Sequence, residues 1–182
     1  MKTINTYIIE KLKVSKNKYG LFPKNKNELV KMIKAEIKQN GNDCDLNHID
    51  VSKITDMSFL FSRDPKDGYG LYEFNGDISE WNVSNVKNMT CIFRESVFNG
   101  DISEWDVSNV ENMSHMFCSS LFNNDISKWN LSSIDNMCGM FWKSKFNQDI
   151  SNWKINPECY LTYWMFDDCP IKDEYKPKKL QD

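Results

Sequence analysis

The sequence predicts a solenoid of stacked coils with a helix closing its N-terminal end. Three observations predict it. The stretch "FNGDISEWNVSNVKNM" begins at Phe74, "FNGDISEWDVSNVENM" at Phe98 and "FNNDISKWNLSSIDNM" at Phe122, so one sentence recurs every 24 residues. That period lies in the range of leucine-rich repeats. A single coil is too short to bury a core of its own, so copies in register are needed to cover both faces of each layer. An amphipathic run precedes the repeats and can cover the first of them.

The elements follow in chain order. "TINTYIIEKLKV" reads as a strand or helix that pairs with the cap. "NKNELVKMIKAEIKQNG" reads as a helix over about 27–40. Asn27 is placed as its N-cap, Leu29, Met32, Ile33 and Ile37 form one apolar stripe, and Gly41 stops it. The stripe is expected over Ile49, Val51 and Ile54. Residues 1–46 therefore form a basic capping segment, 47–169 a repeat region of about five coils, and 170–182 a loose C-terminal tail. The first coil, "IDVSKITDMSFLF", is separated from Phe74 by about eight extra residues near "PKDGYGLY", and the last half-coil, "WKINPECYLTYWMF", carries one insertion.

Within a coil, the Phe, Ile, Trp, Val and Met columns point inward. Short parallel strands are expected at 91–94, 115–118 and 139–142, stacked at roughly 4.8 Å. "FNGD" reads as a turn with positive φ at Asn-Gly, and "VSNVKNM" as an irregular or helical return.

The pattern F-N-x-D-I-S-x-W-[DN]-V-S-x-V-x-N-M-x-x-M-F resembles the repeat of BspA-like leucine-rich-repeat proteins, including the uncharacterised repeat abundant in mycoplasma surface lipoproteins. The likeness covers roughly residues 47–166. It implies a right-handed leucine-rich-repeat-like solenoid and non-catalytic binding, often in adhesion. It implies no catalytic residues.

Composition and charge narrow the function further. The chain has 182 residues, 40% hydrophobic, with a formal net charge of -3. Residues 1–41 hold ten Lys and three Glu, so a basic leader precedes an acidic body. The start shows no secretory signal or lipid-attachment cysteine, and no apolar run reaches membrane-spanning length, which predicts a cytoplasmic protein. Six cysteines without a CxxC pair read as reduced thiols rather than a zinc site. No nucleophile motif or phosphate-binding loop is present, and His48 and His115 have no partner at catalytic spacing, so no enzyme activity, cofactor or metal is expected. Asp77, Asp101, Asp125 and Asp149 form a column. Each coil offers one such carboxylate, too few oxygens for calcium, so they are assigned to the turn as acceptors of backbone N–H groups.

A binding surface belongs where columns vary. Phe59, Arg94, Glu95, His115, Trp142 and Lys143 lie in three such columns, with Trp142 beside Lys143 as the anchor. The expected partner is an unidentified protein with a basic face, itself of a kind that could bind nucleic acid, which would make the chain its inhibitor. Two alternatives stand beside this: nucleic-acid binding through the Lys-rich N-terminal segment, and a surface adhesin lacking a recognisable export signal. The oligomeric state is not read from the sequence.

Overall fold

A computed structural model of the protein describes residues 20–180. The stretch 3–14, read above as a strand or helix, lies outside the described residues.

Each 24-residue unit is written as three shorter sentences of the form Asx–apolar–Ser–any–apolar, with Thr90 and Cys138 in the Ser place of two third sentences: "DISEW" from Asp101, "DVSNV" from Asp106 and "NMSHM" from Asn112. The first residue of each accepts the N–H two residues on. Asp101 Oδ1 takes that of Ser103 at 2.9 Å, Asp106 Oδ1 that of Ser108 at 3.1 Å, and Asn112 Oδ1 that of Ser114 at 2.9 Å. A backbone turn completes each corner, with the Trp105, Val110 and Met116 N–H groups donating to the Ile102, Val107 and Met113 carbonyls. A short Asx side chain satisfies the backbone locally, so the chain bends without helix or strand. Both apolar residues of each sentence then face inward, and all six are at most 3% exposed.

The layers are held by bonds at the repeat offset. Parallel bridges join Asp56 to Asn88, Asn88 to Asn112, Asn112 to Asn136 and Asn136 to Leu161. The first step spans the eight extra residues and the last spans the single insertion. The N–H groups of Met89, Cys91, Phe93 and Glu95 donate to the carbonyls of Asn112, Ser114, Met116 and Cys118. The indoles of Trp81, Trp105, Trp129 and Trp153 donate to the preceding layer, as Trp105 Nε1 does to the Ile78 carbonyl at 3.1 Å. Asn75, Asn99 and Asn123 each accept the N–H of the next asparagine in the column at 2.8 Å. Between them runs an aromatic spine, with the Phe117 ring centroid 5.7 Å from that of Phe93, 5.6 Å from that of Phe141 and 4.2 Å from that of Phe122.

Four expectations need correction. The segments at 91–94, 115–118 and 139–142 are successive turns, not strands. Cys91 and Glu95 sit at φ 54° and 55°, and alternate N–H groups fold back onto the carbonyl three residues earlier. The one two-residue strand pair among the described residues is β1 (Asn130–Leu131) with β2 (Lys154–Ile155), in parallel. The 83–89 return is irregular, one of the two forms expected for it. The FNGD glycines are not left-handed, since Gly41, Gly70 and Gly139 are the described glycines with positive φ. Gly76 is there for space: a Cβ would sit 2.0 Å from the Cys44 carbonyl oxygen.

The third correction concerns the cap. Helix α1 (Lys26–Asn40) is capped by Asn25, whose side chain accepts the Glu28 N–H at 3.0 Å, while Glu28 accepts the Lys24 N–H. Asn25 to Glu28 is the capping spacing, which Asn27 does not have. Leu29, Val30 and Ile33 are buried, and Met32 and Ile37 are half-buried against the core. Fourth, the tail is not loose through Leu180. The Tyr175 carbonyl accepts the Ile150 N–H, Lys179 Nζ donates to the carbonyls of Asn156, Pro157 and Cys159, and Ile171 and Pro177 are buried.

Candidate interaction face

The variable columns coincide with an unusual backbone. Phe59, Cys91, His115, Gly139 and Trp164 occupy equivalent positions and all have φ between 54° and 60°. Glu95, Ser119, Lys143 and Asp168 repeat this four residues later, at φ 54° to 56°. A side chain in this region costs roughly 1–2 kcal/mol. In all but the last layer an inter-layer N–H ladder holds it there, because Phe59, Cys91, His115, Gly139, Glu95, Ser119 and Lys143 donate to the next layer. The side chains are thereby turned off the core, and the columns accept Phe, Cys, His, Trp, Glu, Ser, Lys or Asp alike.

The six sequence-derived residues separate into two groups. Arg94 is tied into the fold: Nη1 reaches Asp64 Oδ2 at 3.2 Å and Nη2 reaches Glu95 Oε1 at 3.4 Å. Asp64 in turn accepts the Lys66 and Asp67 N–H groups, so Arg94 pins the eight-residue insertion to the second layer. Hydrogen bonds from those N–H groups hold the Asp64 carboxyl below its ordinary pKa. Arg94 and Glu95 therefore meet each other rather than standing free. Phe59 is half-buried at the N-terminal end of its column.

The second group converges. The His115 ring meets Trp142 edge-on with centroids 6.4 Å apart, and Lys143 Nζ lies 4.7 Å from the Trp142 ring centre. Gly139 makes room for the imidazole, since a Cβ there would lie 2.8 Å from His115 Nε2. Burial, with the nearby Arg94 guanidinium, pushes the His115 pKa down, so this ring is neutral at pH 7. Burial also pushes the Cys91 thiol up to about 11 and raises Cys118, which makes both poor nucleophiles. All six cysteines are free thiols.

Sequence reading missed Trp164, Tyr163 and Asp167. Trp164 is 63% exposed and Tyr163 64%, beside Tyr160 at 69%. The signal was available: stepping over the one inserted residue carries the His115–Gly139 column onto Trp164 and the Trp142 column onto Asp167. His115, Trp142, Trp164 and Asp167 line a cleft of about 350 Å³.

The carboxylate column lines none of this cleft. Asp77, Asp101, Asp125 and Asp149 each accept a serine N–H at 2.8–2.9 Å. Hydrogen bonds from the following serine hold Asp77, Asp101 and Asp149 below the ordinary carboxylate range. No group of three or more His, Cys, Asp or Glu among the described residues is placed to hold a metal ion. The Trp81, Trp105, Trp129 and Trp153 column faces the core.

A family model described as "Mycoplasma protein of unknown function, DUF285" matches residues 27–153. The chain belongs to that family. The DUF285 match runs from the second residue of α1 through the fourth Trp of the column, so it takes in cap and repeats but stops before the exposed aromatic layer at 160–168. No curated protein and no solved structure matches the chain. Among the described residues, no helix of this DUF285 protein is long and apolar enough to cross a membrane.

Proposed function

We propose that the chain is a non-catalytic protein-interaction module, a leucine-rich-repeat-like right-handed solenoid of the BspA-like kind that docks a partner protein on its lateral face. The observation that carries this reading is the aromatic cluster of His115, Trp142 and Trp164, in which His115 and Trp164 stand on a left-handed backbone column and Trp142 lies beside them. Exposed Trp and Tyr side by side are over-used at interface centres, and a run of them costs solubility unless something covers it. Asp167 and Asp168 are exposed beside the cluster and favour a basic partner face. Six free thiols fit a reducing, cytoplasmic setting.

The test is affinity capture from lysate of the native source, with and without nuclease. A protein retained after nuclease and weakened by a paired Trp142→Ala, Lys143→Ala change supports the docking face. Recovery of nucleic acid, lost on nuclease treatment, would replace this reading with nucleic-acid binding.

A further inference from the structure

The last layer differs from all the others in how its aromatic rings are used. Four ammonium groups lie over rings in and beside it: Lys143 over Trp142 at 4.7 Å, Lys172 over Tyr175 at 4.7 Å, Lys176 over Phe166 at 5.6 Å and Lys179 over Tyr160 at 5.8 Å. Trp164 is more exposed than Trp142, and no ammonium among the described residues covers it. It lines the 350 Å³ cleft together with Trp142 and His115, and Asp167 is the one charged lining residue. Asp167 makes no ion pair among the described residues. Its backbone is nonetheless fixed, because its carbonyl accepts the Lys143 N–H at 2.9 Å.

We infer that this cleft is a binding site for an alkylammonium group, namely a lysine side chain of a partner protein, free or N-methylated. The uncovered Trp164 ring attracts a cation through its quadrupole, Trp142, whose ring already carries the Lys143 ammonium, adds a second aromatic wall, and a carboxylate at the wall supplies the opposing charge. The chemistry excludes an anion, which Asp167 would repel. It also favours an ammonium over a neutral apolar group, which would leave the carboxylate without a partner. His115 contributes a wall without a competing charge, as its ring is neutral at pH 7. The rim adds backbone donors. The N–H groups of Trp164, Phe166 and Asp168 hold the positions that donate to the next layer everywhere else, and here they donate to no acceptor among the described residues. A peptide lying along this edge can offer carbonyls to them while its lysine enters the cleft.

This inference rests on the lateral face being a contact surface, and small probes test it separately. The indole Nε1–H groups of Trp81, Trp105, Trp129 and Trp153 are all bonded to carbonyls inside the stack. Those of Trp142 and Trp164 have no such bond among the described residues. Nitrogen-15 indole spectra of the full chain, titrated with tetramethylammonium chloride against sodium chloride at equal ionic strength, should therefore move two of six resonances saturably. The neutral isostere neopentyl alcohol should bind about two- to five-fold more weakly, the range set by typical exposed cation–π energies. Trp164→Ala should abolish the response, and Asp167→Asn should weaken it for the cation but not for the alcohol. Equal response to both probes, or no saturable shift, overturns the cation site. If capture of a protein partner still falls with the Trp142→Ala, Lys143→Ala pair, the docking face survives that failure. If the cation binds but the paired change leaves capture unaltered, the docking face is what fails.

Discussion

The two ends of the stack carry equivalent backbone segments and are finished differently. At the N-terminal end Lys26 of α1 donates to Asp56 Oδ2 at 2.7 Å, to Ser58 Oγ at 2.7 Å and to the Ser58 carbonyl at 3.2 Å. Leu60, Phe61 and Ser62 are fully buried there. At the C-terminal end the tail covers the Ile150 corner, but the equivalent segment keeps Tyr163 and Trp164 largely exposed and leaves three backbone N–H groups without acceptors among the described residues. A repeat array must be capped because each layer would otherwise expose its core. The difference teaches that the core is closed at both ends, since Met165 and Ile171 are buried, while the column residues are closed at one end alone.

The largest expected effect comes from cutting the stack between its ends. Phe117 is fully buried between Phe93, Phe122 and Phe141. Phe117→Ala should cost about 3–5 kcal/mol, the usual price of a large aromatic cavity. In a linear array the damage should divide the two ends. Hydrogen exchange should then show the Gly139 and Lys143 amides opening before those of Phe59 and Phe61, which lie on the side that α1 covers. Simultaneous loss of all four would show one cooperative unit with no distinction between ends.

A smaller effect separates the first junction from the interior. At Gly76 an added Cβ meets backbone, the Cys44 carbonyl oxygen, at 2.0 Å. At Gly100 it meets mainly the Phe98 ring, at 2.8 Å, with the nearest backbone at 3.3 Å. One layer beyond Gly100, Asn124 occupies that position and donates to the Asn99 carbonyl. Gly76→Ala should therefore cost about 1–3 kcal/mol and Gly100→Ala less, as read by urea denaturation of both variants. Equal losses would mean that the first layer is packed no more tightly than the rest.

Much of this was legible in the sequence, for a physical reason. Inward columns repeat because each layer must fit the next, so the 24-residue period, the Phe, Trp and Met columns and the α1 stripe could all be read directly. The strands could not. An apolar run such as that at Cys91–Phe93 looks extended, and nothing in the side chains of Cys91 or His115 announces a left-handed backbone. That conformation is imposed by hydrogen bonds 23 residues away. Trp164 was hidden by a single inserted residue that broke the column count. The Asx–apolar–Ser sentence was visible at Asp101, Asp106 and Asn112 and is the signal that would have replaced strands with turns.

The carboxylate column should respond to acid more than to deletion of charge. Asp101→Ala removes a side-chain acceptor of the Ser103 N–H and should cost about 1 kcal/mol, as loss of a capping acceptor does. Asp101→Asn should be close to neutral at pH 7, because Asn112 makes the same bond with an amide oxygen. The pH dependence should differ. The folded Asp101 carboxyl titrates below its unfolded value, so just below the ordinary carboxylate range the unfolded chain binds more protons. The stabilisation is present above that range and is lost as pH falls through the folded pKa, damped by the exposure of the group. Thermal melts from neutral pH downwards should show the wild-type advantage shrinking while the Asn variant changes less. Parallel curves would mean that Asp101 contributes nothing through its charge.

The smallest effect bears most directly on the two ends. Trp164→Ala removes the largest exposed side chain of the last layer, whose ring touches Tyr163 at 6.5 Å between centroids but is not part of the Phe spine. Its backbone leaves the strained left-handed region no more easily as Ala than as Trp. Stability should thus change by no more than about 0.5 kcal/mol, the range of surface substitutions, while partner capture falls. A melting-point loss comparable to that of a core substitution would show Trp164 to be a lid over the last layer, equivalent to α1. The open end would then be a second cap and not a surface kept for a partner.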